Sequence, residues 1–166
     1  MSLYLPLFKA LNEAEVQYII VGGLATVLHG YARLTADIDL VINLNQQEAE
    51  KAINAITAIG LQPRLPVDPM QFTDAAMRES WIKDKNMLVF SFYQADNPLM
   101  VLDIFVQEPY PFQQMAERAV YMDIGGITVP VCAIKDLIAM KEKSARPKDL
   151  EDIKYLQGLL DDSDNV

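Results

Sequence analysis

The chain has 166 residues, 51% of them hydrophobic and 22% charged, with a formal net charge of -9. That length suits one domain with a real core, and no apolar run reaches the length of a membrane span. The acidic balance argues against a nonspecific DNA or RNA binder, which carries a basic face.

In chain order, Leu7, Phe8, Leu11 and Ala14 recur at helical spacing and predict an amphipathic helix over residues 5–15. Residues 17–21 are largely β-branched and apolar, which predicts a buried strand ended by Gly22-Gly23. Residues 24–29 resume as helix, with Gly30 as its stop. Residues 37–42 read as a second strand. Residues 46–59 read as a helix with Ala49, Ala52, Ile53 and Ile56 on one face. Pro63, Pro66 and Pro69 interrupt residues 61–84, which read as irregular with room for one short strand or helix. Residues 87–93 and 99–106 predict strands joined by the turn-like Asp96-Asn97-Pro98. A short helix over 112–118 follows, then a hairpin of 120–124 and 127–131 around Gly125-Gly126. Residues 133–143 and 147–160 predict two helices, the second with Pro147 in its first turn. The order predicts an α+β fold, a small mixed sheet with helices packed on it and a helical C-terminal segment. Residues 1–160 are expected to form a single domain, and residues 161–166 a disordered acidic tail. One cysteine, Cys132, excludes an internal disulfide, and residues 1–6 do not read as a signal peptide. The expected location is the cytoplasm, with no membrane attachment.

Asp37 and Asp39 stand one residue apart in a predicted strand, so both point to one face and Ile38 to the other. Two carboxylates that close repel when ionised. A hard divalent cation relieves the repulsion, and oxygen ligands suit magnesium. Asp103 is the lone charge in Leu99-Met100-Val101-Leu102-Asp103-Ile104-Phe105-Val106, where a charge is costly unless compensated. If its strand lies beside that of Asp37 and Asp39, all three carboxylates meet. Each feature also has a plainer reading. Asp-x-Asp is common at surfaces and helix caps, and a lone Asp103 pairs equally well with an arginine.

Gly22-Gly23 opens a helix, where glycine admits a close ligand and the first amides can receive an anion. A tight strand-to-helix turn is the alternative. The pair is neither a dinucleotide fingerprint nor a P-loop. Arg33 reads either as a phosphate clamp or as a salt bridge, and Thr35 as a local hydrogen bond. His29 and Cys132 read as packed residues, and Trp81 as either a base-stacking ring or a loop anchor. Lys141, Lys143, Arg146 and Lys148 form a positive stretch that suits either the far wall of a phosphate pocket or an ordinary helix end.

The stretch Val21-Gly22-Gly23-Leu24-Ala25 through His29-Gly30, Arg33-Leu34-Thr35 and Asp37-Ile38-Asp39-Leu40 resembles the signature of the DNA polymerase β-like nucleotidyltransferase superfamily. It is similar above all to the small prokaryotic members, some of which are toxins of toxin–antitoxin and abortive-infection systems. The run from Lys141 to Asp152 resembles the C-terminal segment of that group. The resemblance implies a nucleotidyltransferase-like core that moves a nucleoside monophosphate from a nucleoside triphosphate such as ATP to a hydroxyl, releasing pyrophosphate. It implies that Gly22 and Gly23 hold the triphosphate, with Arg33, Thr35, Arg146 and Lys148 as further nucleotide-binding residues. It implies that Asp37 and Asp39 bind two Mg2+ ions, and that Asp103 binds the catalytic ion and activates the attacking hydroxyl. The acceptor stays open between RNA, protein and small molecule. Many superfamily members carry serine where this chain has Gly23, which removes one hydroxyl from the phosphate side. A catalytically silent nucleotide- or partner-binding module, or a toxin–antitoxin component with a partner protein, is the alternative.

Overall fold

The computed structural model describes residues 4–164. Among them one mixed sheet of seven strands runs in the order β3-β4-β5-β2-β1-β7-β6. The strands are β1 (Tyr18–Val21), β2 (Asp37–Ile42), β3 (Gln62–Pro63), β4 (Val89–Gln94), β5 (Asn97–Phe105), β6 (Val120–Ile124) and β7 (Ile127–Val131). The helices are α1 (Leu5–Glu13), α2 (Gly22–Leu28), α3 (Gln46–Ala58), α4 (Ala75–Lys85), α5 (Phe112–Arg118), α6 (Ile134–Ser144) and α7 (Pro147–Asp164). The α+β class expected from the sequence is the class observed.

Strand β2 is central. It runs antiparallel to β1 and parallel to β5. Its residues alternate, so Ile38, Leu40 and Ile42 face one side and Asp37, Asp39 and Val41 the other. Ile20, Leu40, Ile104 and Phe90 form one row across four strands of the apolar face. Helix α1 reaches that face where Phe8 stacks on Tyr18, and α4 where Trp81 stacks on Phe90 at 5.1 Å between ring centres. Helix α3 adds Ala49, Ala52, Ile53 and Ile56, all fully buried. The opposite face carries the acidic residues.

Three expectations change. Residues 75–85 form an eleven-residue helix where irregular structure with room for only one short strand or helix was expected. Its caps were legible, since Asp74 accepts from the Ala76 amide at 2.9 Å and Asn86 closes the end in a left-handed conformation. Its apolar stripe was not, because Arg78 fills a core-facing position and donates to the Phe72 carbonyl at 2.6 Å. The β4–β5 turn falls at Ala95-Asp96, and Asn97 and Pro98 belong to the strand. Gly22 and Gly23 open α2, as expected of the pair. Helix α7 runs on to Asp164, four residues into the stretch read as a tail, while residues 165–166 lie outside the described residues. Among the described residues no helix is long and apolar enough to cross a membrane.

Candidate active site

The acidic face is organised as rows across the sheet. In one row Val21 pairs with Asp39, Asp39 with Asp103, and Asp103 with Ser91. Residues paired this way present their side chains to the same face. Asp37 lies one row along, paired with Val101, which pairs with Tyr93. The two strands bearing the three aspartates are neighbours, so all three carboxylates lie on one patch of sheet.

Gly22 adjoins that row directly. Its φ is +68°, and a Cβ added there would run into the Asp39 carboxylate, first at Oδ2. Glycine is required twice over, by the backbone and by the neighbour. Gly22→Ala is expected to lose about 1–2 kcal/mol from the left-handed backbone alone and to push the Asp39 carboxylate aside. Thermal unfolding, with a structure of the variant, checks this. Gly23 answers the missing serine. A Cβ there would lie 2.7 Å from Thr35 Oγ1 and 2.9 Å from Arg33 Nη2. The space a serine would take is filled by the Thr35 hydroxyl and the Arg33 guanidinium.

Burial pushes the Asp39 carboxyl up to about 6; the nearby Asp103 and Asp37 carboxylates add to this, and Lys141 and Arg146 oppose it. Asp103 is also raised, first by burial and further by Asp37, against the Ser91 hydrogen bond and the Arg64 charge. Ser91 Oγ donates to Asp103 Oδ1 at 2.5 Å. The patch therefore holds more negative charge than its own surroundings neutralise. The all-oxygen donor set fits a hard cation such as magnesium. Magnesium is commonly held by one or two carboxylates together with substrate phosphates and water, rather than by a closed protein cage. Among the described residues no group of three or more His, Cys, Asp and Glu side chains converges to hold a metal ion, so the aspartates do not form a ready three-carboxylate cage.

The basic residues expected at the nucleotide divide into three cases. Arg33 donates from Nη2 to Asp152 Oδ2 at 2.9 Å and from Nη1 to the Leu34 carbonyl at 2.8 Å. Its salt-bridge reading is realised, although the partner is Asp152 rather than an aspartate of the carboxylate patch. Arg146 is bound through Nε to Asp149 Oδ2 at 2.8 Å, with its side chain 59% exposed and within electrostatic reach of Asp39. Lys148 is exposed and joins no ion pair among the described residues. Thr35 makes only a long hydrogen bond, 3.4 Å, to the Asp37 carbonyl.

Sequence reading missed the acids behind these cations. Asp152 is 1% exposed and accepts from both Arg33 and Lys141, the latter at 2.8 Å. Asp149 is equally buried. Burial raises its carboxyl, but hydrogen bonds from Arg146, Ser144 and the Arg146 amide outweigh this and hold it at about 2. The spacing of Asp149 and Asp152, three apart on a helix, was the available signal. Ser91 and Arg64 had none, because only strand register brings them to Asp103.

His29 donates from Nε2 to the Cys132 carbonyl, 2.8 Å away, as a packing contact. Burial raises the Cys132 thiol to about 12, which leaves it unreactive. Trp81 is a core anchor. A separate cavity of about 330 Å3, bordered by Tyr18, Phe112 and Tyr121, shares no residue with the carboxylate patch.

A family model described as nucleotidyl transferase AbiEii toxin, Type IV TA system, matches residues 7–165. The chain belongs to this family. AbiEii-type membership makes it a nucleotidyltransferase of a family tied to toxin–antitoxin systems. Comparison with curated proteins returns no match. Among solved structures it is similar to ANT(2")-Ia in complex with adenylyl-2"-tobramycin, at 16% identity and a TM-score of 0.62 over 96% of this chain and 88% of that one. It is similar to the lincosamide antibiotic adenylyltransferase LnuA, lincomycin-bound, at 17% identity and a TM-score of 0.58 over 91% and 92%. An antigenic nucleotidyltransferase-like protein from Paracoccidioides brasiliensis shares 19% identity at a TM-score of 0.59 over 92% and 72%. At such identities the likeness speaks for the fold, which the AbiEii-type chain shares with all three.

Proposed function

We propose that this chain transfers a nucleoside monophosphate from a nucleoside triphosphate to a hydroxyl of an acceptor, with Asp37, Asp39 and Asp103 at the reacting centre. The observation that carries the reading is the register of Asp39 with Asp103 on one sheet face, beside the glycine start of α2. Gly22 and Gly23 would lie under the triphosphate, Thr35 and Arg33 beside Gly23, and Arg146 and Lys148 on its far wall. The acceptor oxygen forms a bond to the α-phosphorus while the bridging bond to the β-phosphate breaks. Pyrophosphate leaves with the bonding electron pair. The hydroxyl proton passes to Asp103 Oδ2, the oxygen Ser91 does not engage. Asp37, Asp39 and Asp103 would hold two magnesium ions, whose charge would stabilise the entering and leaving oxygens. The reading places the enzyme in the cytoplasm, where nucleoside triphosphates are abundant, with an antitoxin as the partner protein.

The test uses ATP, GTP, CTP and UTP labelled at the α- or γ-phosphate, incubated with the protein, Mg2+ and a cell extract. Label from the α-position is expected in a product, label from the γ-position in pyrophosphate, and neither after EDTA. Transfer of γ-label to the product, or transfer that survives complete removal of divalent ions, overturns the reading. A silent binding module would tolerate Asp39→Asn without loss of function. It also leaves unexplained why three acids crowd where folding alone gains nothing from them.

A further inference from the structure

The carboxylate row has two unlike ends. Towards β1 lie the glycine turn and the cations Lys141 and Arg146, both within electrostatic reach of Asp39. In the other direction the row continues past Asp103 to Ser91, and then to Arg64, whose amide donates to the Ser91 carbonyl at 2.9 Å. The pairing of Gln62 with Tyr93 and of Pro63 with Phe92 sets Arg64 opposite Ser91, on the face of the aspartates. Its charge is felt at Asp103 and opposes the rise in that carboxyl. Arg64 is exposed and joins no ion pair among the described residues. In the adjoining row Tyr93 and Val101 continue the same face, and Leu99, two residues before Val101, leaves 72% of itself open. The floor is thus an aromatic ring and apolar side chains with one free guanidinium at its edge.

In-line displacement puts the attacking and leaving oxygens on opposite sides of phosphorus. If the triphosphate lies over the glycine turn, as the proposed function holds, the acceptor arrives over Ser91, Tyr93 and Arg64. Resting on that reading, we propose that the acceptor carries a phosphate beside its hydroxyl-bearing ring. Arg64 binds this phosphate and Tyr93 supports the ring. A planar guanidinium suits phosphate in two-point contact, and an aromatic face suits a sugar or base. The tyrosine is already steadied by its hydroxyl, 3.3 Å from Gln62 Oε1. An acceptor that is uncharged at this position leaves Arg64 without a role, and a cationic one is repelled by it.

The test is binding in the ternary complex. Protein saturated with Mg2+ and α,β-methylene ATP is titrated calorimetrically with AMP, with adenosine, with a 5'-phosphorylated ribotrinucleotide and with the cationic aminoglycoside tobramycin. AMP or the trinucleotide is expected to bind at least about tenfold more tightly than adenosine, in keeping with a charge-assisted pair. Arg64→Ala should reduce that ligand to the level of adenosine, Arg64→Lys should restore part of the difference, and the affinity for the ATP analogue should not move. AMP binding alone assigns a small phosphorylated acceptor, and trinucleotide binding alone assigns an RNA end. Equal binding of AMP, the trinucleotide and adenosine overturns the proposal, as does preferred binding of tobramycin or indifference of the phosphorylated ligand to Arg64→Ala. Failure of the nucleotide reading is seen separately, as absence of binding by the ATP analogue itself.

Discussion

Asp39→Asn is expected to lower nucleotidyl transfer by at least about 10^3-fold, equivalent to about 4 kcal/mol of transition-state stabilisation, while making the metal-free protein more stable. The two effects share one cause. Burial and the neighbouring Asp103 and Asp37 carboxylates raise the Asp39 carboxyl from 3.8 to about 6, with Lys141 and Arg146 in partial opposition. The folded state therefore holds the proton more tightly than the unfolded chain does. Below about pH 4 the group is protonated in both states and no stability is lost. Between about pH 4 and pH 6 the unfolded chain ionises while the folded protein keeps the proton, so stability falls across that window and levels off above it. The penalty above pH 7 is on the order of 3 kcal/mol. Asparagine removes it. The variant should melt roughly 6–12 °C higher than the parent at pH 7.5 and equally at pH 4. Magnesium should raise the melting temperature of the parent at pH 7.5 and leave the variant nearly unmoved. Thermal scans at the two pH values, with and without magnesium, check all of this. A parent protein unaffected by magnesium while the variant keeps full transfer would remove Asp39 from the centre.

Asp152→Ala has the opposite character. Asp152 is buried beneath two cations, Arg33 and Lys141, and the Lys141 side chain is only 6% exposed. Removing the acid leaves Lys141 with Asp149 at 3.9 Å as its remaining acidic partner. Breaking a buried pair from one side costs about 3–5 kcal/mol because the surviving charge stays desolvated. The melting temperature is expected to fall by roughly 10 °C at neutral pH. The double replacement Lys141→Met with Asp152→Leu removes the acid together with the more buried of its two cations and should recover most of the stability, since Arg33 can turn to solvent. Transfer should not return, because the cation near Asp39 is gone. If the double variant is no more stable than Asp152→Ala, the loss lies in packing rather than in stranded charge.

Much of this arrangement was legible in the residues themselves. The alternation Asp37-Ile38-Asp39 fixed two carboxylates on one face, and the apolar strand around Asp103 marked a third acid that needed a reason to be there. Strand adjacency was a condition rather than a reading, because parallel pairing of β2 with β5 joins segments sixty residues apart and leaves no local trace. The same holds for Arg64 and Ser91. Arg33 reads either as a phosphate clamp or as a salt bridge, and Arg146 as a phosphate wall or an ordinary helix end, but their acidic partners on α7 were not foreseen. A helical aspartate looks like a solvated surface residue until tertiary packing buries it. Helix α4 escaped notice because its pattern depends on a buried arginine, which hydrophobic periodicity counts as polar.

The link from Arg33 to Asp152 ties the loop before β2 to a helix more than a hundred residues later in the chain. A chain ending before Pro147 would keep every strand of the sheet yet lose the anchor of that loop and the counter-charge of Lys141. Chimeras that exchange the last two helices between homologues should therefore work only when the Arg33 loop travels with them. The two segments are expected to work as one exchangeable unit despite their distance along the chain.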